Sequence, residues 1–175
     1  MVSWSGHVLP VIAAVTLWFL ATGLIAWLDH RERATFPRSL VLAGLAGIGG
    51  LGLVLASMQS ASIPGVYGAF AGAILIWGWH EVGFLTGAVA GPRREPCPPD
   101  ATGWDRFAHA SAAMAWHEIA LATTALLLIS LSWGVANQIA AMVFALLFVM
   151  RLSTKLAIYA GVPNMSTDIL PAHLD

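Results

Sequence analysis

Apolar residues in this chain come in long uninterrupted runs. A bilayer core takes ~20 mostly apolar residues per helix. Five runs meet or approach that length: about Val8 to Leu28, Ser39 to Ser57, Gly65 to Val89, Phe107 to Ser132 and Ala136 to Leu152. Nothing alternates with period two, as the strands of a membrane barrel would. The pattern predicts an all-α, polytopic transmembrane bundle of about five spans over residues 1–161. A more polar segment, 162–175, follows as a cytoplasmic-side interfacial stretch in which Ser166 or Thr167 can cap a short helix.

The polar interruptions set the orientation. Arg31, Arg33 and Arg38 lie between the first and second runs, and Arg93, Arg94 and Arg106 between the third and fourth. Arg151 and Lys155 end the fifth, which accounts for all 8 Lys and Arg of the chain. The N-terminus, Met58–Pro64 and Trp133–Gly134 have none. The positive-inside rule therefore puts the N-terminus outside, in the periplasm, and the end of the fifth span in the cytoplasm. Trp4 and Trp133 fall at outside ends and Trp27 and Trp104 at inside ends, where aromatic belts form.

Composition agrees. The chain is 58% hydrophobic and 10% charged, with mean hydropathy +0.78, whereas a soluble domain carries roughly 25% charged residues. The lipid bilayer is the expected partner. A net charge of -1 gives no basis for binding nucleic acid. The single cysteine, Cys97, excludes an internal disulfide and a CxxC metal site. The N-terminus lacks the basic segment of a signal peptide, so the first run reads as a retained span. The inside connection "AGPRREPCPPDATGWDR" holds four prolines, Pro92, Pro96, Pro98 and Pro99. It cannot be helical throughout and reads as a stiff crossover.

Two features inside the spans stand out. The second run places Ala43 and Gly47, then Ala46 and Gly50, four apart, and the third opens with Gly68 and Gly72 at the same spacing. Small residues at that spacing let helix backbones approach closely in lipid, here most simply within this one chain. The other feature is a repeated pair. "WGWHEVGFLTG" holds His80 and Glu81, and "AWHEIALATT" holds His117 and Glu118. Offset by 37, Phe70, Trp79, His80, Glu81 and Thr86 match Phe107, Trp116, His117, Glu118 and Thr123. Two readings stand: a chance likeness between apolar helices, or an internal duplication, which with one span per copy is an inverted repeat of the kind found in transporters.

His80 lies 13 residues before Arg93 and His117 lies 11 after Arg106, roughly 20 Å and 17 Å from those charges at 1.5 Å per residue. Both pairs are thus expected near the bilayer midplane, on antiparallel neighbours, with His109 two turns nearer the cytoplasm at the entrance to the same cleft. Glu81 and Glu118 are the only acids well inside a span. An acid there costs a few kcal/mol and is usually paired and functional.

Several chemistries fit. His80, Glu81, His109, His117 and Glu118 could ligate iron, mono- or dinuclear, although carboxylate di-iron bundles use Glu-x-x-His rather than adjacent His-Glu. His80 and His117 could instead hold a tetrapyrrole, as axial ligands of haem or of a bacteriochlorophyll, with the carboxylates orienting them. Proton relay suits the same residue types. The plainest alternative is that the pairs bridge the third and fourth spans by hydrogen bonds and specify the bundle.

The segments "WHEVGFLTGAVAGPRREPCPPDATGWDRF", "AWHEIALA" and "YAGVPNMSTDILPAHLD" together resemble the PuhE family, photosynthetic complex assembly protein 2 of phototrophic purple bacteria. The likeness covers Gly65 to Asp175, and "GPRREPCPP" and "GVPN…LPAHL" are its most specific parts. Family members are longer, with further membrane helices beyond "LPAHL". The resemblance implies a role in assembling the reaction centre and core light-harvesting complex, with their subunits as partners, in the bacterial inner, intracytoplasmic photosynthetic membrane. The family's genes sit with that of the reaction-centre H subunit. It leaves the catalytic residues open, and with them two alternatives: a metal-dependent oxygenase or hydroxylase acting on a pigment, quinone or lipid, and a structural subunit without a cofactor.

Overall fold

The computed structural model describes residues 4–95, 98 and 100–159, apart from the side chains of Ser5, Asp29 and residues 156–159. Cys97, Pro96, Pro99 and the expected interfacial segment 162–175 lie outside them. A π-helical turn (Trp4–Val8) leads into α1 (Leu9–Asp29), and a 3-10 turn (Arg33–Thr35) into α2 (Phe36–Ser57). Then come α3 (Ile63–Leu85), α4 (Gly103–Leu131) and α5 (Ile139–Tyr159). The first four are each long and apolar enough to cross a bilayer. The fifth carries Arg151 and Lys155 within its helix.

Local signals account for the helix ends. Pro10, Pro37 and Pro64 occupy first-turn positions of α1, α2 and α3, where the missing N–H costs nothing. The Ser62 hydroxyl caps α3 by accepting from Gly65 N at 3.3 Å. Three of the five expected spans, the first, second and fourth, agree with their helices to within a few residues. The third span and the fifth differ. The apolar run of the third continues to Val89, but α3 stops at Leu85 because Gly87 takes φ +74°, the left-handed cap that ends many helices. Residues 86–91 then fold back: Val89 N donates to Gly83 O at 2.8 Å. The fifth helix runs seven residues beyond Leu152.

The small-residue faces do pack within the chain. A Cβ on Gly50 would lie 2.7 Å from Gly72 O, and one on Gly72 would lie 2.6 Å from Gly50 O. The α2 and α3 backbones therefore touch. One turn along, the Trp79 indole lies over Gly47. α5 packs against both α3 and α4, and α1 chiefly against α3. The shared core comprises Val54 of α2, Ala73 and Trp77 of α3, Leu121 and Leu128 of α4, and Phe144 of α5. Trp77 and Phe144 meet edge to face at 5.2 Å. The outward side chains of α1 are apolar, Val11 at 62% and Phe19 at 76% exposure, as a lipid-facing helix requires.

Asn137 closes one end of the bundle. Its side-chain amide donates to Ser57 O and Ser60 O, both at 3.1 Å, and its backbone N–H to Met58 O at 2.9 Å. The α2–α3 and α4–α5 turns thus share one face, and both are the turns without Lys or Arg. That pairing is what the charge pattern demands of two turns on the same side of a membrane.

Candidate functional site

The two His-Glu pairs come together where α3, α4 and α5 meet. The His80 and His117 rings are 6.4 Å apart at their centroids, at 69°. His80 Nε2 shares a hydrogen bond with Thr124 Oγ1 at 3.0 Å. His117 is fully buried, 0% exposed, and lies against Phe84 at 4.6 Å between ring centroids. Neither of its ring nitrogens has a hydrogen-bond partner. The nearest carboxylate oxygen, Glu81 Oε1, is 4.0 Å from Nε2, beyond hydrogen-bond range.

The carboxylates do not face each other across α3 and α4; both turn to α5. Arg151 Nη1 donates to Glu81 Oε1 at 2.8 Å and Oε2 at 3.0 Å. Arg151 Nε donates to Glu118 Oε1 at 3.4 Å, and Lys155 Nζ lies 3.0 Å from that oxygen. Two acids and two bases make a cluster that is neutral when both imidazoles are neutral. Taking one unpaired ion out of water costs several kcal/mol, so this neutrality is the reason the chain can hold four charged side chains there. Arg151 and Lys155 read as boundary charges in the sequence. They are in fact the counter-ions of the site. The signal that finds them is length: an apolar run of 17 residues, Ala136 to Leu152, is short for a span. Extending the helix by two turns adds Lys155, four residues after Arg151 and on the same face.

Depth is corrected by the same geometry. Counting back from Arg93 assumes a helix through that residue, but α3 ends eight residues earlier. Counting at 1.5 Å per residue from the Asn137 end puts Arg151 about 18 Å, Glu118 about 20 Å and Glu81 about 27 Å along their helices. In a core about 30 Å thick the cluster lies below the midplane, toward the arginine-bearing loops. The 86–91 segment covers it there. Ala90 is buried and its carbonyl accepts from His117 N at 2.9 Å. Gly91 sits so close to α4 that a Cβ would collide with the Ala112 carbonyl oxygen. The Arg151 guanidinium lies over the Phe84 ring at 5.0 Å.

His109 is not brought to the others. It is about 12 Å nearer the start of α4 than His117, a third exposed, with Nε2 3.5 Å from Asp105 one turn back. Among the described residues no three His, Cys, Asp or Glu side chains converge as a metal would need. As arranged, the donors do not fit iron, because Arg151 and Lys155 already neutralise both carboxylates. A macrocycle does not fit between His80 and His117 either, because His117 is fully enclosed and its ring lies against Phe84, tilted by 32°.

Fold and site define a class: a polytopic helical membrane protein with a neutral ion-pair network and two imidazoles in its interior. The chain belongs to the DUF3623 family, described as a protein of unknown function, whose model matches residues 4–175. Over 173 residues, 95% of this chain and 63% of the relative, it is 38% identical to a Rhodobacter capsulatus protein described as an uncharacterized 30.4 kDa protein in the puhA 5′ region. The chain thus spans less than two thirds of that relative's length. Both findings agree with the PuhE resemblance. No solved structure matches the chain.

Proposed function

We propose that this protein is a membrane-embedded assembly or biogenesis factor for the bacterial photosynthetic reaction centre–light-harvesting complex, resident in the photosynthetic inner membrane. The observation that carries the reading is the 38% identity, along nearly the whole chain, to a protein encoded in the puhA 5′ region. Geometry supports it in two ways. The outer faces of α1 and α2 are continuous apolar surface, suited to lipid or to the spans of other subunits. The His80/His117 pair is held in place by the network below it, with Arg151 linking α5 to Glu81 of α3 and Glu118 of α4.

The test is genetic and spectroscopic. In a phototroph lacking the gene, the wild-type chain in its full-length context restores reaction-centre and core-antenna absorption. His80→Ala and His117→Ala both fail to do so while accumulating to normal levels. Restoration by one and not the other argues against a joint site. Full complex assembly in the deletion strain removes the proposal.

A second reading rests on the unpartnered nitrogens of His117. A metal-dependent oxygenase, or a tetrapyrrole carrier, needs such ligands, and would require Arg151 and Lys155 to release the carboxylates and the bundle to open. Iron content and the absorption spectrum of the purified protein decide it: iron without a Soret band favours the first and a tetrapyrrole spectrum the second. Neither, in folded protein, leaves the cofactor-free reading.

A further inference from the structure

The polar groups of the interior form a connected series with a direction. Followed by contact from Lys155, it runs through Glu118, Arg151, Glu81, His117 and His80 to Thr124, the member nearest the Asn137 end, with the His117–Glu81 step at 4.0 Å and the two rings 6.4 Å apart. Exposure falls along α5 in the same direction. Lys155 is 23% and Arg151 20% exposed, Leu147 is buried and Phe144 is at 0%. Among the described residues an apolar layer separates Thr124 from the buried polar groups of the Asn137 end: Val54, Ala73, Leu128 and Phe144, each at 1% or less, meet there from four helices, with Trp77 wedged against Phe144. Intramembrane ionisable groups are held by pairing or by water-filled recesses. Here pairing neutralises the four charged residues but leaves Glu118 Oε2 and both ring nitrogens of His117 buried without a hydrogen-bond partner. A buried polar group with no partner costs about 1–3 kcal/mol, a cost that water entering beside the partly exposed Lys155 would relieve.

We infer that the His/Glu/Arg cluster is a one-sided intramembrane inlet, which admits water and protons to His117 and His80 from the face of the arginine-bearing loops and is sealed by the apolar layer from the opposite face. The inlet is independent of the assembly role, since it rests on the order of polar and apolar layers alone. Among the described residues the cluster then exchanges with one compartment, with no continuous proton path to the other.

Single cysteines test it in a Cys97→Ser background, in right-side-out and inside-out membrane vesicles, with methanethiosulfonate ethyltrimethylammonium as the probe. This probe does not cross membranes and reacts with water-exposed thiolates. Thr124→Cys and Leu147→Cys are expected to react at least about tenfold faster from the arginine-loop face than from the other, because a thiol in a dry apolar site stays protonated and inert. Ala141→Cys, within the seal, is expected to stay unreacted from both faces. Reaction of Thr124→Cys from the opposite face overturns the inlet, as does reaction of Ala141→Cys from the arginine-loop face. Silence of both Thr124→Cys and Leu147→Cys, while exposed Thr154→Cys reacts, overturns it too. Two inlet positions guard against one variant failing to fold, and labelling is read without any photosynthetic phenotype, so failure here is distinct from failure of the assembly role.

Discussion

His117 is the residue whose surroundings are least explained by stability. Its imidazole is enclosed and neither nitrogen is satisfied. Replacing it with phenylalanine keeps an aromatic ring against Phe84 and removes a buried unpartnered polar group, so His117→Phe should raise stability or leave it unchanged, by up to about 1–3 kcal/mol. The same variant should abolish complex assembly if the imidazole is functional. Thermal unfolding in lipid nanodiscs, set beside complementation, checks both halves, and a destabilised His117→Phe would mean that the ring's polarity serves the fold. Arg151 makes the opposite case. Arg151→Met strands Glu81 and half of Glu118, and breaking a buried pair costs about 3–5 kcal/mol. With Arg151 one fifth exposed, the lower end, about 3 kcal/mol, is expected. Adding Glu81→Gln should recover part of it, a non-additivity that a double-mutant cycle measures. Glu81, Glu118 and the histidines were legible in the sequence, since acids inside apolar runs announce themselves. Arg151 was not legible as their partner, because a cation at the end of a run looks the same whether it faces water or folds back onto an acid.

At the scale of elements, the turn after α3 decides more than its length suggests. Gly87 stops the helix, Gly91 fits against α4, and Ala90 between them takes the His117 N–H. Gly91→Ala must push the 86–91 segment off α4, so a loss of about 1–3 kcal/mol, the usual cost of overpacking, is expected. Gly23→Ala, with nothing within 4 Å of the new Cβ, should be neutral or slightly stabilising. Parallel unfolding curves of the two variants check this, and equal effects would remove the special status of the turn. The helices themselves could be read from apolar run length, and the α2–α3 contact from its small residues four apart. The early end of α3 could have been read from Gly87, whose φ > 0 is cheap only for glycine. The fold-back of Val89 and Ala90 could not, because an apolar stretch buried against a neighbouring helix and one buried in lipid have the same composition.

For the whole molecule, the arrangement of turns carries the topology. Asn137 binds the two turns without Lys or Arg into one face, which the positive-inside rule puts in the periplasm. A reporter active only when exported should therefore be active when inserted in the 58–62 turn and inactive when inserted after Arg94. The reverse pattern would invert the bundle and with it the compartment to which the polar cluster is nearer. The apolar exteriors of α1 and α2 fit a protein that works among other membrane helices, in keeping with the assembly role proposed.

Run length and charge placement determined, from the sequence alone, that this is a helical membrane bundle, with five long helices among the described residues, and set its expected orientation. Both follow from the same cost, since backbone and charge cannot be left unpaired in hydrocarbon. The sequence also located the two His-Glu pairs. Which groups those pairs meet was decided only by the tertiary structure. The sequence leaves open which of the chain's 8 Lys and Arg each carboxylate meets, and helix packing selected Arg151 and Lys155. Those two choices turned a candidate ligand set into a neutral charge network with one imidazole left unpartnered beside it.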